Sequence, residues 1–233
     1  MGLKVPKRRV SWRPAYRIIP NLYPRRNLYD RIAPAEDHEA IREVEDLTNS
    51  RVRQERGELA LVAPFHDVSG PGSAFVMAPF TQLHPEGSRF CDGTFGAYYA
   101  TQSLDTAIYE TVHHTERFLR DSSMPATWRG MLVLKANIKG DFHDLQTVPR
   151  RRLRPYYHRT DYTKSQQFGR ALRDAGSNGL VYHSVRHQGG RCVAVFNPQK
   201  ISSCRQDRYL VFVWNGEKVT DVHRVVEHPL KSL

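Results

Sequence analysis

Apolar and polar positions follow two different periods along this chain, and each change of period marks a new element. Counting about 100° per residue from Leu104, the side chains of Ala107, Ile108, Val112, Thr115, Phe118 and Leu119 share one stripe. With Ser103 as N-cap, the stripe predicts a helix from 104 to about 121. A second helix is predicted over SQQFGRALRDAG (165–176), stopped by Gly176. Strands are predicted for AFVMAPF (74–80), AYYA (97–100) and GMLVLKANI (130–138), and later for GLVYHSV, RCVAVFN, YLVFVWN and KVTDVHRVV. Gly189-Gly190 and Asn215-Gly216 read as hairpin turns. Near the N-terminus, Pro6, Pro14, Pro20, Pro24 and Pro34 oppose long regular structure, so the segment reads as an extended arm. A helix over AEDHEAIREVEDL (35–47) and a strand entered through GELALV follow, before the VSGPGS loop (68–73).

The sum is a strand-rich α+β protein with a few flanking helices. We divide it at the VSGPGS loop: residues 1–70 form a basic arm plus helix, packed on or inserted into the domain, and 71–233 form the core domain. At 233 residues with 39% hydrophobic content, the chain is long and apolar enough to bury a real core. No apolar run approaches the roughly 20 residues of a membrane span, so a soluble protein is expected. Arg8-Arg9 is not followed by an apolar stretch of signal-peptide length. Cys91, Cys192 and Cys204 lack CxxC spacing and leave one thiol over in any pairing, which points to a reducing cytoplasm and away from a zinc site.

The net charge of +11 changes the picture only once it is located. Residues 1–31 hold nine Lys and Arg against one Asp, and PRRRLRPYYHRT (149–160) adds five Arg, so the remainder is close to neutral. Such blocks are solvated tails or loops, or else they hold an acidic partner or a phosphate-bearing ligand. Arginines interleaved with Tyr156 and Tyr157 also suit a nucleic-acid strand.

Glu110 lies beside Ala107 at the margin of the first helix's apolar stripe. A carboxylate there is either a boundary residue paired with a surface Arg or the rim of a cleft walled by Tyr98, Tyr99 and Tyr109, and periodicity does not choose. His113 and His114 are adjacent, point in different directions and are expected at the surface rather than on a metal. Ser184 has no GxSxG context, Cys91 has no neighbouring His, and no Walker, Rossmann or HExxH pattern occurs.

GSRFCDGTFGAYYATQSLDTAIYETV together with SQQFGRALRDAGSNGLVYHSVRHQGGRCVAVFNP resembles the RES domain, named for a recurrent Arg, Glu and Ser. The likeness spans roughly residues 71–200. AYRIIP (15–20) also resembles the arginine-bearing strand that opens many members, which makes 21–70 an insertion relative to shorter ones. The resemblance implies a single RES domain similar to the ADP-ribosyltransferase fold, and the toxin half of a bacterial RES-Xre toxin–antitoxin pair. The implied activity is NAD+ consumption by hydrolysis or phosphorolysis of the nicotinamide–ribose bond, with NAD+ as substrate and neither cofactor nor metal. Matched to the family's motifs, the implied catalytic residues are Glu110, Arg89 and Ser184. Arg17, Tyr98, Tyr99, Thr163, Ser165 and Arg186 are implied to bind NAD+. Thr163 and Ser165 stand beside Ser184 as alternatives for the family's serine, since in some members that residue opens the later helix.

The implied partner is an Xre-like helix-turn-helix antitoxin, compatible with a homodimer inside a larger toxin–antitoxin complex. ADP-ribosylation of a protein target, or a basic nucleic-acid-binding module, are the alternative readings.

Overall fold

The computed structural model describes residues 3–21, 68 and 70–226. The predicted helix at 35–47 and the strand entered through GELALV lie outside the described residues. Seven strands, β1 (Lys7–Pro20), β2 (Tyr98–Thr101), β3 (Thr127–Asp144), β4 (Gly179–His183), β5 (Arg191–Val195), β6 (Ile201–Trp214) and β7 (Val219–Arg224), form one mixed sheet. Among the described residues, four α-helices flank it: α1 (Ser73–Thr81), α2 (Leu104–Asp121), α3 (Arg150–Leu153) and α4 (Thr163–Asp174). The fold class is therefore α+β.

Strand order is β1-β2-β5-β4-β3-β6-β7, and β1 also pairs with β3, so the first five strands close into a ring. β3 makes the ring possible by its length. One of its edges carries β1 from Met131 to His143, and the other is shared by β6 along Thr127–Ile138 and by β4 at His143 and Asp144. The β3–β4 pairing is parallel; the others are antiparallel, which suits short connections such as the turn at Asn215, whose Oδ1 accepts from the N–H of Glu217 and Lys218.

Two expectations are corrected. Residues 7–20 are not a loose arm, because β1 runs unbroken over these 14 residues within the sheet; the predicted arm beyond residue 21 lies outside the described residues. Pro14 is tolerated since it falls where the β1–β3 register shifts, between Trp12 and Ala15, and no ladder donor is required there. AFVMAPF is helical rather than extended: α1 buries Val76, Met77, Phe80 and Thr81 at helical spacing. A short apolar run does not distinguish the two periods, and Gly72, at φ +83, supplies the left-handed turn that starts the helix.

Three apolar clusters result. One fills the ring, with Tyr98, Leu134, Phe142 and Val193 packed under Val76 and Phe80 of α1. A second joins Phe90, Leu180 and Tyr182 to Phe168 and Leu172 of α4. A third places Leu104, Ala107, Ile108 and Val112 of α2 against Ile18, Met131, Val133, Leu210 and Phe212. The predicted α2 stripe is thus its packing face, apart from Phe118, which is exposed and covered on one side by the Arg129 guanidinium, 4.8 Å from its ring centroid.

Candidate active site

A cleft of about 770 Å³ opens beside α2, within the usual size for small-molecule sites. Its walls include Arg17 of β1, Arg89 of the segment before β2, Tyr99 of β2, Glu110 of α2 and Cys192 of β5. Residues far apart in sequence meet here because β1, β2 and β5 are neighbours in the ring. α2 is pinned at its start, where Ser103 Oγ accepts from the Thr106 N–H at 3.3 Å.

Glu110 is fixed by the loop that joins β4 to β5. Ser184 Oγ accepts from the backbone N–H of Arg186 (3.0 Å) and His187 (2.8 Å) and lies 2.5 Å from Glu110 Oε1. With both acceptor positions of the hydroxyl filled, its hydrogen goes to the carboxylate. The loop is held to α2 by a 2.9 Å hydrogen bond between Thr106 Oγ1 and His187 Nδ1 and by Tyr109 stacked on His187 at 4.8 Å. Cys192 Sγ, 3.8 Å away, donates to the same Oε1. Oε2 has no hydrogen-bond donor among the described residues.

The two arginines are held by main-chain carbonyls rather than by acids. Arg17 Nη1 donates to the Tyr99 oxygen at 3.0 Å, and the guanidinium lies 4.9 Å from the Tyr98 ring centroid. Burial lowers its pKa, against the opposing pull of Tyr98, Cys204 and Tyr99, but from a value high enough that arginine stays charged. Arg89 Nη1 donates to the His158 oxygen at 2.8 Å, and its guanidinium lies 4.6 Å from the Tyr162 ring centroid. Neither guanidinium pairs with a carboxylate among the described residues.

Tyr99 ties the segment bearing Arg89 to the sheet. Its hydroxyl accepts from the Phe90 N–H at 3.0 Å and lies 2.8 Å from Ser88 Oγ. Burial raises this phenol well above its ordinary range, so it remains neutral. From the other side, Gln166 of α4 donates to the Glu86 and Ser88 oxygens at 3.0 and 3.1 Å. Gly169 of α4 packs so closely on Phe90 that a Cβ there would stand 2.0 Å from the Phe90 oxygen.

The predicted residues divide accordingly. Arg17, Arg89, Tyr99 and Glu110 share the cleft, and Ser184 reaches it through Glu110. Tyr98 points to the opposite face of β2, is fully buried in the ring and does not line the cleft. Ser165 is buried and donates to the Tyr162 oxygen at 2.9 Å. Thr163 is exposed, its N–H bonded to Asp161. Arg186 is half-buried and donates to the Arg159 oxygen, outside the cleft wall. Tyr109 is exposed and stacks on His187 rather than walling the cleft.

Among the wall residues that were not anticipated, His114 and Tyr162 bear on the carboxylate and on Arg89. His114, expected only as a surface residue, lines the cleft. Desolvation holds its imidazole below the usual range, against the pull of Glu110 and with the help of Arg186 and Arg89. Tyr162 carries no local sequence signal and enters through its position at the start of α4. Among the described residues, no three His, Cys, Asp or Glu side chains gather as a metal site. No helix there is long and apolar enough to cross a membrane.

These features define a strand-rich α+β domain with a cleft in which Glu110 stands with Arg17 and Arg89 among its walls. The chain belongs to the RES domain family, whose family model matches residues 64–215. It is 27% identical over 208 residues to the "Uncharacterized protein y4oC" of Sinorhizobium fredii, covering 88% of this chain and 84% of that protein. A solved structure, the M. tuberculosis MbcT-MbcA toxin-antitoxin complex, contains a chain that aligns with 88% of this one and 87% of its own length, at 13% identity and a TM-score of 0.47.

Proposed function

We propose that this protein cleaves the nicotinamide–ribose bond of NAD+ and acts as the toxin of a toxin–antitoxin pair, restrained by an Xre-like helix-turn-helix antitoxin. The observation that carries the catalytic half is the hydrogen bond from Ser184 to Glu110 Oε1 inside a cleft that also holds Arg17 and Arg89. Breaking an N-glycosidic bond builds oxocarbenium-like charge on the sugar carbon, and a fixed carboxylate beside it stabilises the transition state more than the ground state. Glu110 is fixed through Oε1, which leaves Oε2 for the ribose or for the attacking water or phosphate. Arg17 and Arg89 suit the diphosphate, and the faces of Tyr99 and Tyr162 offer stacking for a planar ring. The antitoxin half rests on the family resemblance. It accords with the chemistry, since unrestrained NAD+ loss would harm the cell that makes the protein.

The test is nicotinamide release from NAD+ by the purified chain, with and without inorganic phosphate, beside Glu110→Ala. Release that this substitution abolishes is the expected result, and its dependence on phosphate identifies the acceptor. No release in either buffer would overturn the reading and favour ADP-ribosyl transfer to a protein, read as mass added to a target.

A further inference from the structure

A second cavity, of about 270 Å³, shares no lining residue with the cleft. Arg8, Arg9 and Ser11 of β1 line it, together with Gln102, Gln146 and Arg191. No carboxylate is among its lining residues. Arg8 and Arg9 do have acidic neighbours, Asp144 at 3.4 Å and Asp141 at 3.3 Å, but the arginine side chains are 56% and 63% exposed. The Arg9–Asp141 pair, exposed on both sides, contributes little and yields readily to an anion of higher charge density, whereas Arg8 faces a fully buried Asp144 and stays with it. Arg191 makes no ion pair among the described residues.

Two further features add to this. Along residues 8–12, the only partner of β1 among the described strands is β3, so the other β1 edge carries unpaired main-chain groups. Across the β4–β5 pair, His183 faces Arg191, and its imidazole is lowered by desolvation first and then by Arg150 and Arg191. The positive potential of the Arg150 block therefore reaches the same side of the sheet.

We infer that this hollow is a binding site for phosphoryl groups, taking a diphosphate that is either free or the end of a nucleotide. The guanidinium forks of Arg9 and Arg191 with the Gln102 amide, beside the charge of Arg8, match an anion that offers many oxygens at once, whereas a single carboxylate would occupy only one fork. The volume admits a diphosphate and falls short of a whole dinucleotide.

Titration calorimetry on the full chain at low salt tests this, with inorganic pyrophosphate and ADP as probes. Arg191→Gln, Arg191→Lys and Arg89→Gln serve as variants. Arg191 is exposed, so its replacement is compatible with folding, and a thermal melt of each variant checks this. The expected result is a binding event that persists in Arg89→Gln, which weakens the cleft's own hold on a diphosphate, and that in this background is weakened roughly tenfold or more by Arg191→Gln and less by Arg191→Lys. ADP binding tighter than pyrophosphate marks a nucleotide as the ligand, and the reverse marks the free anion. Binding that Arg191→Gln leaves unchanged, binding lost only in Arg89→Gln, or no binding of either probe would overturn the inference.

Discussion

Ser184 and Glu110, 74 residues apart in the chain, meet at 2.5 Å, with the serine hydroxyl already accepting two backbone N–H groups. The contact is directional by construction. A hydroxyl whose lone pairs are both occupied has a single remaining role, to donate, and the carboxylate receives it. Ser184 is thus a positioning residue for Glu110 and also the knot that holds the β4–β5 loop.

Ser184→Ala removes the donor to Glu110 and leaves two main-chain N–H groups without their acceptor. A hydrogen bond to a charged group is worth about 1.5–3 kcal/mol, so NAD+ cleavage is expected to fall roughly 10- to 150-fold in kcat. KM should change little, because neither arginine is touched. Steady-state kinetics on nicotinamide release reads this split; an unchanged kcat would separate Ser184 from the chemistry.

Gly169→Ala forces a methyl into the Phe90 carbonyl and pushes α4 away from the segment that carries Arg89. The expected cost is about 1–3 kcal/mol of stability, typical of overpacking where main chain must give. Denaturant unfolding measures it. A variant as stable as the parent would show that α4 and the 88–91 segment slide apart freely.

Asp207 gives stability a pH signature. Burial raises its carboxyl, but Lys135, 2.7 Å away, and Arg208, 2.6 Å away, outweigh burial and hold the pKa below the usual carboxylate range. A folded pKa below the unfolded one, about 3.9, gives stabilisation that is complete above that value and is lost as pH falls through the folded value. Asp207→Asn should therefore cost about 1–3 kcal/mol at pH 7, and the gap to the parent should close progressively below pH 4. Urea melts across that range decide; a gap that stays constant with pH contradicts the assignment.

The three cysteines are free and buried, and burial raises all three thiols, that of Cys91 to about 11. An aromatic disulfide reagent at pH 8 should react slowly with the native chain and rapidly with all three thiols in denaturant. Fast stoichiometric reaction of the native chain would place a thiolate at the surface.

Elements with strong local signals were legible in the sequence. The limits of α2 follow from Ser103 and a clear 3.6-residue stripe, and β5 and β7 from the turns before them, whereas β6 begins at Ile201, ahead of the predicted YLVFVWN. α1 was not legible, because seven apolar residues in a row carry neither period and the choice was made by packing on β6 and β2. β1 was obscured by prolines whose cost depends on which backbone donors the partner strand leaves idle, a fact of tertiary structure. In the site, a period of two puts Tyr98 and Tyr99 on opposite faces, but only the assembled ring decides which face holds the cleft. Glu110 was ambiguous by periodicity. Ser184, Arg17 and Arg89 entered by resemblance, and Tyr162 had no signal because it reaches the cleft from a distant turn.

The closed ring of strands also governs when the cleft exists. β1 leaves the ribosome first, yet its ladder partner β3 begins at Thr127, and Glu110 waits for Ser184 and Cys192. A nascent chain halted before β5 already carries Arg17, Arg89 and Glu110 but has no wall to set them against. Folding dominated by such distant pairings is slow. The interval between the synthesis of these side chains and their assembly is therefore a built-in delay, in which the polypeptide is made but its cleft is not.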